Sequence, residues 1–300
     1  MSEASQPEIF GHADCLVGPG NACRFEDLGR FKDRSGVVDD VRVVKCQTCG
    51  LGVTKPNLPD VAFLYADRTS QDFQPDGGVI ARTLKRLVFR RGARHILRAL
   101  DRAPDLIVDF ACGSGLFTQC LAEEAAPSRV VGADFHETPP QELQTAEYLP
   151  IGKLPELAGQ ADLVLAMHVL EHDDDPRALL ARIVQLVRPG GRLIVETPNV
   201  DCVWMSVFGK SWDAWYPPYH RRHFNRRNLR ALIETVGLSV VAEEDVSAPT
   251  MGRTLANLLG LRNNAIFILI GAALHPVQWA LERLTRKPVA IRIIACNPRS

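Results

Sequence analysis

The chain has 300 residues, 46% of them hydrophobic and 23% charged, enough for one large α/β domain with a small additional module. Lysine plus arginine and aspartate plus glutamate number 35 each, so the formal net charge is zero and no global field draws the chain to a polyanion. The opening MSEASQPEIF is polar and acidic and reads as no signal peptide. A cytoplasmic protein is therefore expected, with its eight cysteines as thiols or metal ligands rather than disulfides.

Residues 1–60 hold Cys15, Cys23, Cys46 and Cys49. Cys46-Gln-Thr-Cys49-Gly50 follows a strand expected at Val41–Lys45, and such a turn can aim two thiolates and its backbone amides at one metal. The first pair is wider, and His12-Ala-Asp-Cys15 offers a histidine in its place. The expected structural zinc would be held by Cys46, Cys49 and two of His12, Cys15 and Cys23; the competing reading is a small β module with free thiols. Residues 61–104 read as a linker, with a short helix near Val61–Tyr65, then an amphipathic helix or helix pair over 79–100. Its apolar positions are Ile80, Leu84, Leu87, Val88, Ile96 and Leu97, with a break expected near Gly92.

Residues 105–300 form the expected main domain. Asp105-Leu-Ile-Val-Asp-Phe-Ala-Cys-Gly-Ser-Gly115 is an apolar strand running into a glycine loop, and Leu116 onward turns helical. Such a loop lets backbone N–H groups approach a ligand with no Cβ in the way. The next strand, from Arg129, ends on Asp134, an acid placed for ribose hydroxyls. Thr118 stands where a dinucleotide fingerprint has its third glycine. Asp109, just before the loop, would repel a pyrophosphate but suits a cationic amine and a sulfonium. A strand at Ala161–Met167 leads into His168-Val-Leu-Glu-His172, and Pro189-Gly-Gly191 precedes a strand ending Thr197-Pro-Asn199.

These ordered motifs resemble a class I S-adenosylmethionine-dependent methyltransferase, in the branch that carries VLEH and TPN, over about residues 80–245. The resemblance implies a Rossmann-like seven-stranded sheet with S-adenosylmethionine as cofactor. Asp109, Ala111, Gly113, Gly115 and His168 would border the cofactor, Asp134 would take its ribose, and the helix before the first strand would lie over its mouth. The acid that often meets the adenine amine is missing at Tyr148-Leu-Pro-Ile151. Relatives often begin with two C-x-x-C pairs, the second followed by G-L-x-x-x-x-P. Gly50–Pro56 matches that tail, while the first pair departs from it. Small-RNA and ubiquinone-pathway O-methyltransferases carry E-x-x-E-H and a divalent cation, so His168, Glu171 and His172, with His223, form a possible second metal set.

After the fifth strand, Val200–Arg226 is long and rich in Trp204, Trp212, Trp215, Tyr216 and Tyr219. The branch's P-x-H-x-x-H-F appears as Pro218-Tyr-His220-Arg-Arg-His223-Phe224. The rings are expected to line the acceptor pocket, or else to pack the loop on the sheet, with Arg221 or Arg222 available to an anionic group. His168 and His220 are the candidate general bases. A helix at 227–236 and strands at 238–241 and 289–294 follow. Between them residues 253–283 read as helical and apolar in parts, and the apolar run Ala265–Leu274 within them is too short to cross a bilayer and reads as a packed helix, a dimer contact or a membrane-surface element. The expected reaction is methyl transfer to a small molecule, nucleotide sugar or glycan-pathway acceptor. An RNA methyltransferase, with the zinc module gripping nucleic acid, is opposed by the zero net charge and by Asp39-Asp40. A non-catalytic scaffold is opposed by the glycine loop and Asp134. The oligomeric state is left open.

Overall fold

The computed structural model describes residues 15, 17, 23–58, 64, 78–261 and 263–298. His12 and most of the helix expected at Val61–Tyr65 lie outside them. In chain order, β1 (Phe25–Arg30), β2 (Arg42–Cys46) and β3 (Gly52–Lys55) precede α1 (Gly78–Arg98), β4 (Leu106–Phe110), α2 (Leu116–Ala125), β5 (Arg129–Asp134) and β6 (Glu147–Pro150). There follow β7 (Ala161–Met167), α3 (Pro176–Val184), β8 (Val187–Pro198), α4 (Val203–Phe208) and β9 (Arg222–His223). The chain closes with α5 (Arg226–Thr235), β10 (Ser239–Val246), α6 (Met251–Leu258), α7 (Ala265–Thr285) and β11 (Ala290–Cys296).

All of β4 is buried, and its alternation builds the layers. Leu106, Val108 and Phe110 face Leu179, Leu180 and Ile183 of α3 and Leu229, Leu232 and Ile233 of α5. Ile107 points the other way, toward Ala93 and Ile96 of α1 and Leu121 of α2. A strand apolar on both faces needs helices on both sides, which a parallel sheet with crossovers provides. The seven-stranded sheet runs β10-β11-β8-β7-β4-β5-β6, with β8-β7-β4-β5-β6 parallel, β11 antiparallel to β8, and β10 antiparallel to β11 and so aligned with the parallel set. This is the Rossmann-like methyltransferase architecture. The chain leaves β4 first toward β5 and later returns on its other side as β7, so a crevice opens at the carboxyl ends of β4 and β7.

Three points differ from the sequence reading. First, α1 is one unbroken helix through Gly92. Its buried Ala93 and Ile96 hold it to α2, which outweighs the roughly 1 kcal/mol that a mid-helix glycine costs. Second, the short apolar run is the start of the long helix α7, whose 21 residues are enough by length and composition to cross a membrane. Third, the N-terminal sheet is not built from the first 60 residues alone. Its order is β1-β2-β3-β9, and β9 comes from the aromatic loop. Gly52 opposes His223 there, and a Cβ on Gly52 would stand 2.8 Å from the His223 Cβ, so the pairing needs glycine at that position.

Candidate active site

The glycine loop joins β4 to α2. Ala111, Gly113 and Gly115 all have positive φ, and a Cβ added at Gly113 would meet only open space. Asp134, at the tip of β5, accepts from the Gly113 N–H at 2.7 Å through Oδ2 and from the Phe135 N–H at 2.7 Å through Oδ1. Each oxygen retains the capacity to accept a further hydrogen bond. Asp109 is buried on the α1–α2 side and accepts from the Thr118 hydroxyl at 2.5 Å. Burial pushes its carboxyl up to about 7, the Thr118 bond opposes the rise, and nearby Asp134 adds to it. The cradle thus concentrates acceptor oxygens and unfilled backbone space, which suits a cationic nucleoside cofactor. Thr118, met in the sequence only as a missing glycine, is part of it. Tyr148, where an adenine-binding acid was sought, donates to the His136 carbonyl.

On the neighbouring strand, His168 follows β7 at φ 57°. Its ring lies between two carboxylates, Glu171 at 3.2 Å on Nδ1 and Glu196 at 3.1 Å on Nε2. Desolvation favours the neutral ring, but the bonds to Glu171 and Glu196 outweigh it and raise the pKa to about 10. Both ring nitrogens of this half-exposed His168 thus face carboxylates, an arrangement that favours a positioning role over the general-base role expected for it. Glu196, itself buried, is held ionised against its burial by His168 and by Arg292, which donates to it at 2.9 Å. A lone acid in the apolar strand β8 was the available signal for Glu196.

His220 behaves oppositely. Its Nδ1 is 2.8 Å from the Ala214 carbonyl, an acceptor that only an N–H can satisfy, so Nε2 carries the lone pair. Burial, then the proximity of His172 and His223, hold its pKa well below the usual range. His172 packs edge-on to it with ring centroids 4.8 Å apart and likewise directs Nδ1 to a carbonyl, that of Tyr219, at 3.1 Å. Glu171, 1% exposed, leaves Oε2 without a hydrogen-bond partner among the described residues, and ligand atoms of Glu171, His172 and His220 lie within 4.8 Å of one another. These three residues, not the set with His168 and His223, converge. Both ring nitrogens of His168 are taken, and His223 turns its Nε2 to the Thr54 hydroxyl at 2.9 Å, buried against Trp215.

The aromatic loop is mostly core. Trp204, Trp212 and Trp215 are buried with Val43 and Met251, and Phe31 of the N-terminal segment meets Trp215 edge-on. Tyr216 stacks on Tyr219 and touches His220 edge-on, so it is the loop ring left beside the histidines. Arg221 and Arg222, expected to be available for a substrate anion, are buried instead. Asp174 accepts from both, and Arg221 also donates to the Thr54 and Pro56 carbonyls. These partners are distant in sequence, and no local pattern announced them.

Cys15, Cys23, Cys46 and Cys49 bring their sulfurs within 4.8 Å of one another. Burial raises the Cys23 and Cys49 thiols, yet the Cys49 and Thr48 N–H groups outweigh it at Cys46 and bring that thiol down to about 7. Four converging sulfurs, one of them with a lowered pKa, fit a tetrahedral soft-metal site.

A model of the methyltransferase domain family matches residues 82–243. A probable S-adenosylmethionine-dependent methyltransferase of Mycolicibacterium smegmatis is 30% identical over 246 residues, 78% of this chain and 87% of that protein. The chain belongs to the S-adenosylmethionine-dependent methyltransferases. The methyltransferase also resembles the ubiquinone biosynthesis O-methyltransferase of Acinetobacter baumannii, 32% identical over 114 residues, which span 47% of that enzyme. The S-adenosylhomocysteine-bound magnesium protoporphyrin IX methyltransferase of Synechocystis shares its fold at 17% identity, with a TM-score of 0.52 over 80% of this chain and 100% of that one.

Proposed function

We propose that this methyltransferase acts on a hydroxyl or amine of a small molecule, nucleotide sugar or glycan precursor, with His220 as general base. The observation that carries the reading is the geometry of His220, its Nδ1–H fixed on the Ala214 carbonyl at 2.8 Å and its Nε2 without a hydrogen-bond partner among the described residues, on a loop beside the carboxyl edge where the cofactor cradle lies. In this reading the backbone at Ala111, Gly113 and Gly115 admits the methionine end of S-adenosylmethionine, Asp109 faces its amine and Asp134 its ribose diol. The acceptor lies under Tyr216, the His220 Nε2 takes its proton, and the nucleophile displaces the sulfonium methyl in line. His168 is a positioning residue that holds Glu171 and Glu196. Structural zinc on Cys15, Cys23, Cys46 and Cys49 anchors the module of residues 1–60, residues 61–104 cap the cofactor, and 105–300 form the transfer domain. An RNA acceptor finds little support, because Arg221 and Arg222 are committed to Asp174.

A second reading is favoured by the unpartnered Glu171 Oε2. Glu171, His172 and His220 would hold a divalent cation, which would supply Lewis acidity to the acceptor oxygen. The experiment that tests the pair of readings follows methyl transfer from labelled cofactor across an acceptor panel. His220→Ala should leave cofactor affinity and melting temperature nearly unchanged and lower turnover by roughly a hundredfold or more. An unchanged turnover refutes both readings. Loss of wild-type turnover on chelation, restored by a divalent cation, selects the second.

A further inference from the structure

α7 touches the body of the protein along a narrow stripe, Phe267, Gly271, Gln278 and Glu282, and only 22% of its most apolar window is buried. Outside that stripe it presents Ile266, Leu269, Val277 and Leu284, which are 66%, 69%, 59% and 81% exposed. From Ala265 to Leu281 the helix has no lysine, arginine, aspartate or glutamate. The turn before it adds Leu259 and Leu261, 63% and 57% exposed. A contiguous apolar face of this kind is uncommon on a soluble monomer and marks a contact surface.

Charge says which contact. Across residues 251–287 the only acid is Glu282, against Arg253, Arg262, Arg283, Arg286 and Lys287. Glu282 is buried, accepting from the Trp204 indole at 2.7 Å. Arg283 lies over the half-exposed Trp279 ring, 5.7 Å from its centroid, and Arg286 and Lys287 are exposed at the same end. Arg253 is paired with Asp213, but a self-complementary dimer contact would set Arg283, Arg286 and Lys287 against a helix without an exposed carboxylate. Anionic headgroups match them, with tryptophan and arginine at the headgroup level and aliphatic side chains beneath. Spanning is ruled out by the inner stripe: Gln278 and Glu282 are tied to Ala248 and Trp204, so the helix stays on its domain.

We propose that α7 docks this protein on an anionic membrane surface, lying in the interface with Ile266, Leu269, Val277 and Leu284 inserted and Arg283, Arg286 and Lys287 on the headgroups. The surface adjoins the transfer edge, because the Val203 N–H donates to the Lys287 carbonyl and Ala290 pairs with Pro198 at the end of β8. The inference does not depend on the identity of the acceptor.

The test is co-sedimentation of the full chain with phosphatidylcholine vesicles, with and without phosphatidylglycerol. Wild-type protein should pellet with the phosphatidylglycerol vesicles and release at high salt. Leu269→Glu combined with Leu284→Glu, both at solvent-facing positions, should weaken partitioning at least about tenfold with cofactor binding unchanged. Arg283→Glu with Arg286→Glu should remove the preference for phosphatidylglycerol. Wild-type protein that stays in the supernatant, or a double-glutamate variant that pellets equally, overturns the proposal. So does a dimer seen by light scattering that the double-glutamate variant splits while neither protein binds vesicles, which gives the face to a second copy.

Discussion

The two ends of the crevice are built by different means. The end proposed to hold the cofactor is local: Asp109, Gly113, Gly115 and Thr118 follow one another from β4 into α2, and Asp134 arrives on the next strand. The histidine end is assembled from afar. Thr54 and Pro56 hold Arg221, Asp174 holds Arg221 and Arg222, and β3 pairs with β9. A cofactor common to many reactions needs a cradle that one supersecondary unit can carry, whereas an acceptor pocket can be rebuilt by rerouting loops on the same sheet. The two ends should therefore fail independently.

The largest expected effect is on the distant end. Stripping metal from the cysteine cluster, or Cys46→Ser, should loosen β1–β3 and with them β9 and His220, because all belong to one sheet and loop. Turnover should vanish while cofactor binding by calorimetry persists. Protein whose loop resists proteolysis equally with and without metal would break the link between cluster and site. Next in size is the local end. Asp134→Ala should remove two charge-assisted bonds to a ribose, together worth about 3 kcal/mol, and lower cofactor affinity at least tenfold with little change in the acceptor loop. Unchanged affinity would remove Asp134 from the cradle.

The smallest effect concerns Asp109 and pH. Its folded pKa of about 7 lies above the unfolded value of 3.8, so its ionisation opposes folding. That cost is absent below the unfolded pKa, grows as pH rises toward 7 and is then constant. Asp109→Asn should therefore raise the melting temperature of the cofactor-free protein by a few degrees at pH 8 and leave it nearly unchanged near pH 4. Wild-type cofactor affinity should climb between pH 6 and 8 as the carboxylate forms, and the variant should lose that slope. A flat wild-type affinity profile would show that Asp109 does not face the cofactor amine.

What the sequence disclosed follows the same division. β4, the glycine loop, Asp134 and the VLEH turn were legible because an apolar run, a glycine and an acid at a strand tip each carry a local conformational meaning. The gathering of Cys15 and Cys23 with Cys46 and Cys49 was anticipated from composition and one strong pair. The fates of His168, Arg221, Arg222 and His223 were not legible, since each depends on a partner brought up by another element: Glu196, Asp174 or Thr54. The tryptophans announced an important loop, but ring count alone does not distinguish a pocket wall from a core. A helical stretch over 253–283 was legible, but that α7 is long and apolar enough to cross a membrane was hidden by the polar residues of its inner stripe, Gln278 and Glu282, which interrupt the apolar run in sequence and not in space.

The pairing of β3 with β9 also sets an order of assembly. Thr54 and its partner His223 are 169 positions apart, so β3 leaves the ribosome with its outer edge unpaired and waits for most of the transfer domain to be made. During that interval an unfinished sheet edge is open to other nascent chains. Loop closure over such a distance is slow compared with forming the β1–β2–β3 meander, so the histidine side is the last part of the molecule to mature and the first to be exposed when synthesis stalls.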